Sequence, residues 1–110
     1  MLEIQYIPSA NRQIDDLLKT DPDLVADMMH RIDYLSEQGM SALKDMPRVY
    51  KQLHRTKKFN LYEIVVKQQR TAFVILRTNK GKIYIIHIFK KQRGRESKEI
   101  KIAIRKARKL

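Results

Sequence analysis

The chain contains no cysteine, only three glycines and three prolines, and eight aromatic residues, three phenylalanines and five tyrosines. Without cysteine, disulfides, thiolate metal sites and a cysteine nucleophile are excluded. No apolar run approaches the roughly 20 residues of a membrane span. The N-terminal MLEIQYIPSANR has neither the basic start nor the apolar stretch of a secretory leader, so a cytoplasmic protein without membrane contact is expected. No repeat or low-complexity segment is present. The three histidines, His30, His54 and His87, fall on three different predicted elements with no ligand spacing, so neither a three-histidine metal site nor a cofactor is expected.

Acidic residues are also scarce after the first third of the chain. Residues 1–39 hold three Lys/Arg against eight Asp/Glu, a net of −5, whereas residues 40–110 hold twenty-one against four, a net of +17. Residues 90–110 alone carry ten cations against Glu96 and Glu99, a net of +8. Cations clustered in this way attract phosphate backbones by counterion release, and contact with nucleic acid is expected. A solvated basic face with no partner is the plainer alternative.

What is present is one domain of ordinary size, 110 residues with 43% apolar content, enough for a single core. LEIQYI (2–7) alternates and is closed by Pro8, a short first strand. Ser9 is placed to cap a helix over about 10–19 with Ile14, Leu17 and Leu18 on its apolar stripe. TDPDL restarts the chain, and Leu24, Met28, Ile32 and Leu35 follow at helical spacing to Gly39. The short join predicts an antiparallel helical hairpin. Pro47 bars a regular helix through 40–58, where VYKQLHR reads as a short strand or an extended approach to one.

LYEIVVK (61–67), TAFVILRT (71–78) and KIYIIHIF (82–89) are rich in β-branched and aromatic residues, and KQQR and NKGK separate them as hairpin turns. Asn79 and Gly81 are the positions expected to take positive φ. Ser97 is placed to cap a last, basic helix reaching about 109, with Ile100, Ala103, Ile104 and Ala107 turned to a core. The fold predicted is α+β: an N-terminal strand and a helical hairpin packed on one face of a small antiparallel sheet, with a basic C-terminal helix. The other sheet face is expected to lie open, as a seat for a polymer.

From about residue 49 onward the chain resembles the RelE/ParE toxin superfamily, in particular its phage-derived HigB-like branch. The residues that carry the resemblance are Lys51 and Leu53, LYEI at 61–64, the Gly81–Lys82–Ile83 turn, IIHIFKK at 85–91 and KEIKIAIRK at 98–106. It implies the toxin of a type II pair, an endoribonuclease that cleaves mRNA, free or on the ribosome, and is neutralised by a small antitoxin, of helix-turn-helix type. The chain departs from the pattern where family arginines are replaced by Val65 and Val74, where Phe73 replaces tyrosine, at Ile88 in place of glycine, and at Arg95–Glu96 before the last helix. A catalytically silent relative that binds nucleic acid or antitoxin, and a ParE-like gyrase inhibitor, are the alternatives.

Metal-independent RNA cleavage requires a base for the 2′-hydroxyl, cations for the five-coordinate phosphate and an acid for the leaving 5′-oxygen. The catalytic candidates are Arg77, His87, Lys90, Lys91 and Glu63. Arg77 stands in for the missing arginines, His87 can move a proton near neutral pH, and Glu63 can act as base or orient an arginine. The RNA-binding candidates are Lys51, Arg70, Arg93, Arg95 and Tyr62, with Gly94 allowing close backbone approach and Tyr62 able to stack a base. Each has a plainer role. His87 shares a strand face with Ile83, Ile85 and Phe89 by simple alternation and suits a core histidine, Glu63 could pair with Arg77 across the strands, and Lys90 and Lys91 could be strand-end charges.

Overall fold

The computed structural model describes residues 2–53, 59–66, 71–92 and 94–110. The candidates Arg70 and Arg93, and the predicted KQQR turn, lie outside the described residues. The first strand, β1 (Glu3–Tyr6), leads into α1 (Pro8–Thr20) and α2 (Pro22–Gln38). After them come α3 (Ser41–Asp45), β2 (Tyr50–Gln52), β3 (Leu61–Val66), β4 (Ala72–Asn79), β5 (Lys82–Lys90) and α4 (Glu96–Arg108). No helix among the described residues is long and apolar enough to cross a membrane.

Local chemistry sets most of these boundaries. Pro8 and Pro22 each occupy the first turn of a helix, where the fixed φ is pre-organised and no N–H is needed. Ser9 and Ser97, expected as caps, instead lie just inside α1 and α4, whose N-cap positions are Ile7 and Arg95. Gly39 ends α2 at φ 71°, with its N–H bonded to the Leu35 carbonyl at 2.9 Å. The β4–β5 turn uses positive φ at Lys80 and Gly81 rather than at Asn79, the pair of left-handed residues that a tight hairpin loop needs.

The five strands form one mixed sheet in the order β1-β5-β4-β3-β2. β3, β4 and β5 make the expected antiparallel meander, β2 adds an antiparallel edge, and β1 joins the far side parallel to β5. The fold is α+β, but its layering differs from the expectation. α1, α2 and α3 cover one face over a core that includes Ile14, Leu24, Met28, Ile32, Ile64, Val74 and Ile88. The other face is not open, because α4 lies on it, burying Ala103 and Ala107 against Leu61, Val65, Phe73, Ile75, Ile86 and Phe89. The meander strands carry almost no polar alternation, and strands buried on both faces read in just this way.

One irregularity positions the chemistry. Ile75 pairs with His87 and Leu76 pairs with Ile85, so Ile86 is an extra residue, a β-bulge in the middle of β5. Ile83, Ile85 and Ile88 face the helical hairpin, while Ile86 and Phe89 face α4. His87 therefore does not share a face with Ile83 and Ile85. The bulge turns it toward α4, where its ring stacks near Phe89.

Candidate functional site

Where β5 ends, the chain turns away from the sheet and rises into α4. Gly94 makes this turn at φ 78°, a conformation that side-chain-bearing residues rarely adopt. The Lys91 N–H bonds the Thr71 carbonyl at 2.8 Å and the Arg95 N–H bonds the Gln92 carbonyl at 3.1 Å, fixing the two ends of the turn. Between the strand ends and the first turn of α4 lies a half-open pocket of about 390 Å³. Its floor is Phe73 and Phe89, cross-strand partners with ring centroids 5.1 Å apart. Lys91, Arg95, Glu96 and Ser97 stand on its rim. An aromatic floor beside two cations and a positive helix end is a combination suited to a base and its phosphate.

The sequence candidates divide around this pocket. Lys91 and Arg95 line it, and Arg95 also stands 3.9 Å from Glu99 Oε1. Lys90 does not. Opposite Ala72, it points toward the helical hairpin, where its Nζ lies 3.3 Å from Asp21 Oδ2. Adjacent residues of a strand face opposite ways, so the two lysines part company. Lys51 and Tyr62 line a different groove, of about 570 Å³, with Lys44, Pro47 and Tyr50 between α3 and the β2 edge.

Arg77 has an architectural position. Its Nη1 donates to the Ala107 carbonyl at 3.0 Å, in the last turn of α4, and its guanidinium lies over the Phe59 ring at 5.5 Å. This fastens the C-terminal end of α4 to the sheet. Arg77 pairs across the strands with Leu61, so the proposed pairing of Glu63 with Arg77 is not formed; Glu63 sits between Ile75 and Lys51.

Glu63 is buried beneath the α4 layer, and its Oε2 has no hydrogen-bond partner. Its carboxyl is pushed up to about 7, chiefly by burial and further by the charge of Glu96, with Lys51 pulling the other way. It is a proton-binding group at neutral pH with no direct route to solvent.

His87 is also buried, at the centre of a polar cluster that joins three elements. Nε2 lies 2.5 Å from Glu99 Oε2, and Nδ1 lies 2.9 Å from Lys106 Nζ and 3.2 Å from Gln13 Nε2. Gln13 Oε1 accepts the Ile88 N–H at 2.9 Å, which turns the amide nitrogen toward the ring. With two donors converging on Nδ1, that nitrogen must accept, and Nε2 must carry the proton donated to Glu99. The ring is therefore neutral. Burial, first, and then Lys106 hold its pKa below the ordinary histidine value, against the opposing effect of the hydrogen bond that Nε2–H donates to Glu99.

Sequence reasoning missed Phe73 and Phe89 as a pocket floor, Glu96 as a rim carboxylate, and Gln13, Glu99 and Lys106 as partners of His87. The floor had no clear signal, because the turn register alone would set Phe73 opposite Ile88, and only the bulge brings it opposite Phe89. The cluster had none, because its members come from α1, β5 and α4.

The family model of the phage-derived protein Gp49-like matches residues 15–109, from within α1 to the end of α4. The chain belongs to the Gp49-like family. No curated protein and no solved structure gives a significant match. The matched span of this Gp49-like chain includes the β5–α4 pocket, every candidate residue, and the His87 cluster apart from Gln13. Its α+β architecture is consistent with a RelE-like fold.

Proposed function

We propose that this Gp49-like protein is the toxin of a type II toxin–antitoxin pair, an endoribonuclease of the HigB-like kind that cleaves mRNA without a metal ion. The observation that carries this reading is the β5–α4 pocket, where the paired rings of Phe73 and Phe89 lie beside Lys91, Arg95 and Glu96. A base packs against the exposed edges of the ring floor, and the adjoining phosphate meets Lys91, Arg95 and the N–H groups of the first turn of α4. Glu96 takes the proton of the 2′-hydroxyl, whose oxygen attacks the neighbouring phosphorus. Lys91 returns a proton to the departing 5′-oxygen, leaving a 2′,3′-cyclic phosphate and a 5′-hydroxyl. In this reading Arg77 and His87 act only by holding α4, and Lys90 makes no contact with the scissile phosphate.

The partner implied is a small antitoxin, of helix-turn-helix type by the resemblance, with an acidic segment to cover the pocket rim. Complementary charge makes that association fast and salt-sensitive.

The test is cleavage of a defined RNA by the purified full chain, alone with a chelator present and, separately, with translating ribosomes in magnesium buffer. The expected products carry 2′,3′-cyclic phosphate ends, and Lys91→Ala and Arg95→Ala should each lower the rate by about a hundredfold, typical of removing one charge-stabilising contact. Absence of cleavage in both settings overturns the nuclease reading. One observation favours a second reading, a silent binding module: Val65 and Val74, at the family arginine positions, are buried in the two opposite cores. That module would bind RNA with a salt-dependent affinity and leave it intact.

A further inference from the structure

The polar cluster around His87 is not used by the cleavage scheme, and its order of groups is that of an activated nucleophile. A carboxylate (Glu99) holds one ring nitrogen of a neutral imidazole at 2.5 Å, and the other ring nitrogen accepts from a lysine ammonium at 2.9 Å. A base within hydrogen-bond reach of the nucleophile, itself oriented by a third group, is the general arrangement for activating a weak nucleophile. We propose that Lys106 is an acylation site whose amine is freed by the Glu99–His87–Lys106 relay, with an activated acyl donor, an acyl phosphate or acyl thioester, as substrate.

The chemistry balances as follows. The ammonium of Lys106 passes one proton along the 2.9 Å contact to His87 Nδ1. The resulting imidazolium is stabilised by the Glu99 carboxylate on its far side, and the amine now carries a free lone pair. The amine attacks the acyl carbonyl, the new N–C bond forms, and the C–O bond to phosphate (or the C–S bond to a thiolate) breaks. The leaving group departs with the bonding pair and takes up the second amine proton; His87 then gives up its proton through the half-exposed Lys106 side of the ring, where Nδ1 faces.

The surroundings of Lys106 favour the neutral amine. Burial lowers its pKa first, Arg12 on α1 lowers it further, and Glu99 opposes both. Gln13, also from α1, keeps Nδ1 directed at this side of the ring. Lys106 is only half-buried, so a small acyl donor can reach it, whereas His87 is closed to solvent. Lys98 and Lys101 lie on the same helix, exposed to solvent, and serve as internal controls. Acylation replaces a cation with an amide at the contact between α4 and α1.

The experiment exposes the full chain to acetyl phosphate near pH 7 and follows each lysine by peptide mass spectrometry. Lys106 is expected to acetylate at least about tenfold faster than Lys98 and Lys101. In His87→Gln the advantage should vanish while the rates at the two control lysines stay the same, and Glu99→Gln should lower it in part. Because His87→Gln could perturb α4, the wild-type chain supplies a second reading. There the advantage should be lost on the acid side, at a pH below the ordinary histidine range, as Nδ1 becomes protonated and can no longer accept. A wild-type Lys106 no faster than the controls overturns the site. A fast Lys106 with no acid-side loss, or unchanged in folded His87→Gln, overturns the relay.

Discussion

Replacing Glu63 by glutamine should stabilise the protein, and by an amount that depends on pH in a defined way. Glu63 is 2% exposed, with one carboxylate oxygen left without a hydrogen bond. Its carboxyl is raised from 4.5 to about 7 in the folded chain, a difference of about 2.5 units. At 1.36 kcal/mol per unit this corresponds to about 3 kcal/mol. Below pH 4.5 the group is protonated in both the folded and the unfolded chain and contributes no penalty. Between 4.5 and about 7 the unfolded chain gives up its proton while the folded chain keeps it, so stability falls by up to about 1.4 kcal/mol per pH unit. Above about 7 both forms are ionised and the full penalty persists. His87 acts in the opposite sense, since its lowered pKa weakens the fold as pH falls below 6.5, so the wild type alone would blur the effect. The difference between wild type and Glu63→Gln isolates it. Urea denaturation from pH 4 to 8.5 should show curves that separate progressively up to about pH 7, the variant ending the more stable by about 3 kcal/mol. If the two curves run parallel across that range, the assignment of Glu63 as a buried, unsatisfied acid is wrong.

Val74→Arg would place a guanidinium in the fully buried hairpin-side core and should destabilise the chain by about 4 kcal/mol or more, seen as a lower urea midpoint, rather than restore a phosphate site. Arg77→Ala removes the bond to the Ala107 carbonyl and the contact with Phe59, so about 2 kcal/mol should be lost and amide exchange should quicken first in the last turn of α4. Lys90→Ala loses only a partly exposed pair with Asp21 and should shift stability by less than about 1 kcal/mol without changing RNA affinity. Lys91→Ala with Arg95→Ala should instead reduce the slope of log affinity against log salt for single-stranded RNA by about 1.4, about 0.7 per phosphate contact, in a filter-binding titration.

The elements were readable because each carries its own period. Leu24, Met28, Ile32 and Leu35 announce α2, and the β-branched runs of β3, β4 and β5 announce the meander. The near-unbroken apolar runs in those strands already implied cover on both faces. Counting helices without placing α4 left one face open in the prediction. The bulge was not readable. In IIHIF, Ile85, Ile86, Ile88 and Phe89 put apolar groups on both faces in either register, so a slip of one residue goes unmarked, and simple alternation put His87 on the wrong face. At the site, the block KKQRGRES reads as one basic loop, although strand geometry must send Lys90 and Lys91 to opposite faces. Only Lys91 reaches the pocket. Arg77 looked like a free cation because its acceptor is a backbone carbonyl thirty residues away, a contact that no sequence pattern encodes.

The parallel pairing of β1 with β5 sets an order of events during synthesis. Glu3 must wait for Lys82, and Tyr6 for Ile85, before either can enter the sheet. At roughly 5–20 residues per second the ribosome takes several seconds to cover that interval. During it β1 has no partner strand, and the hairpin of α1 and α2 can form only as a local unit. The Phe73–Phe89 floor and the α4 rim arise later still, once residues up to Ser97 have emerged. A nascent chain therefore carries its acidic, helical third first and its cationic pocket last. Under the proposed nuclease function, that sequence of assembly would withhold activity from the very ribosome translating the chain until the sheet is closed.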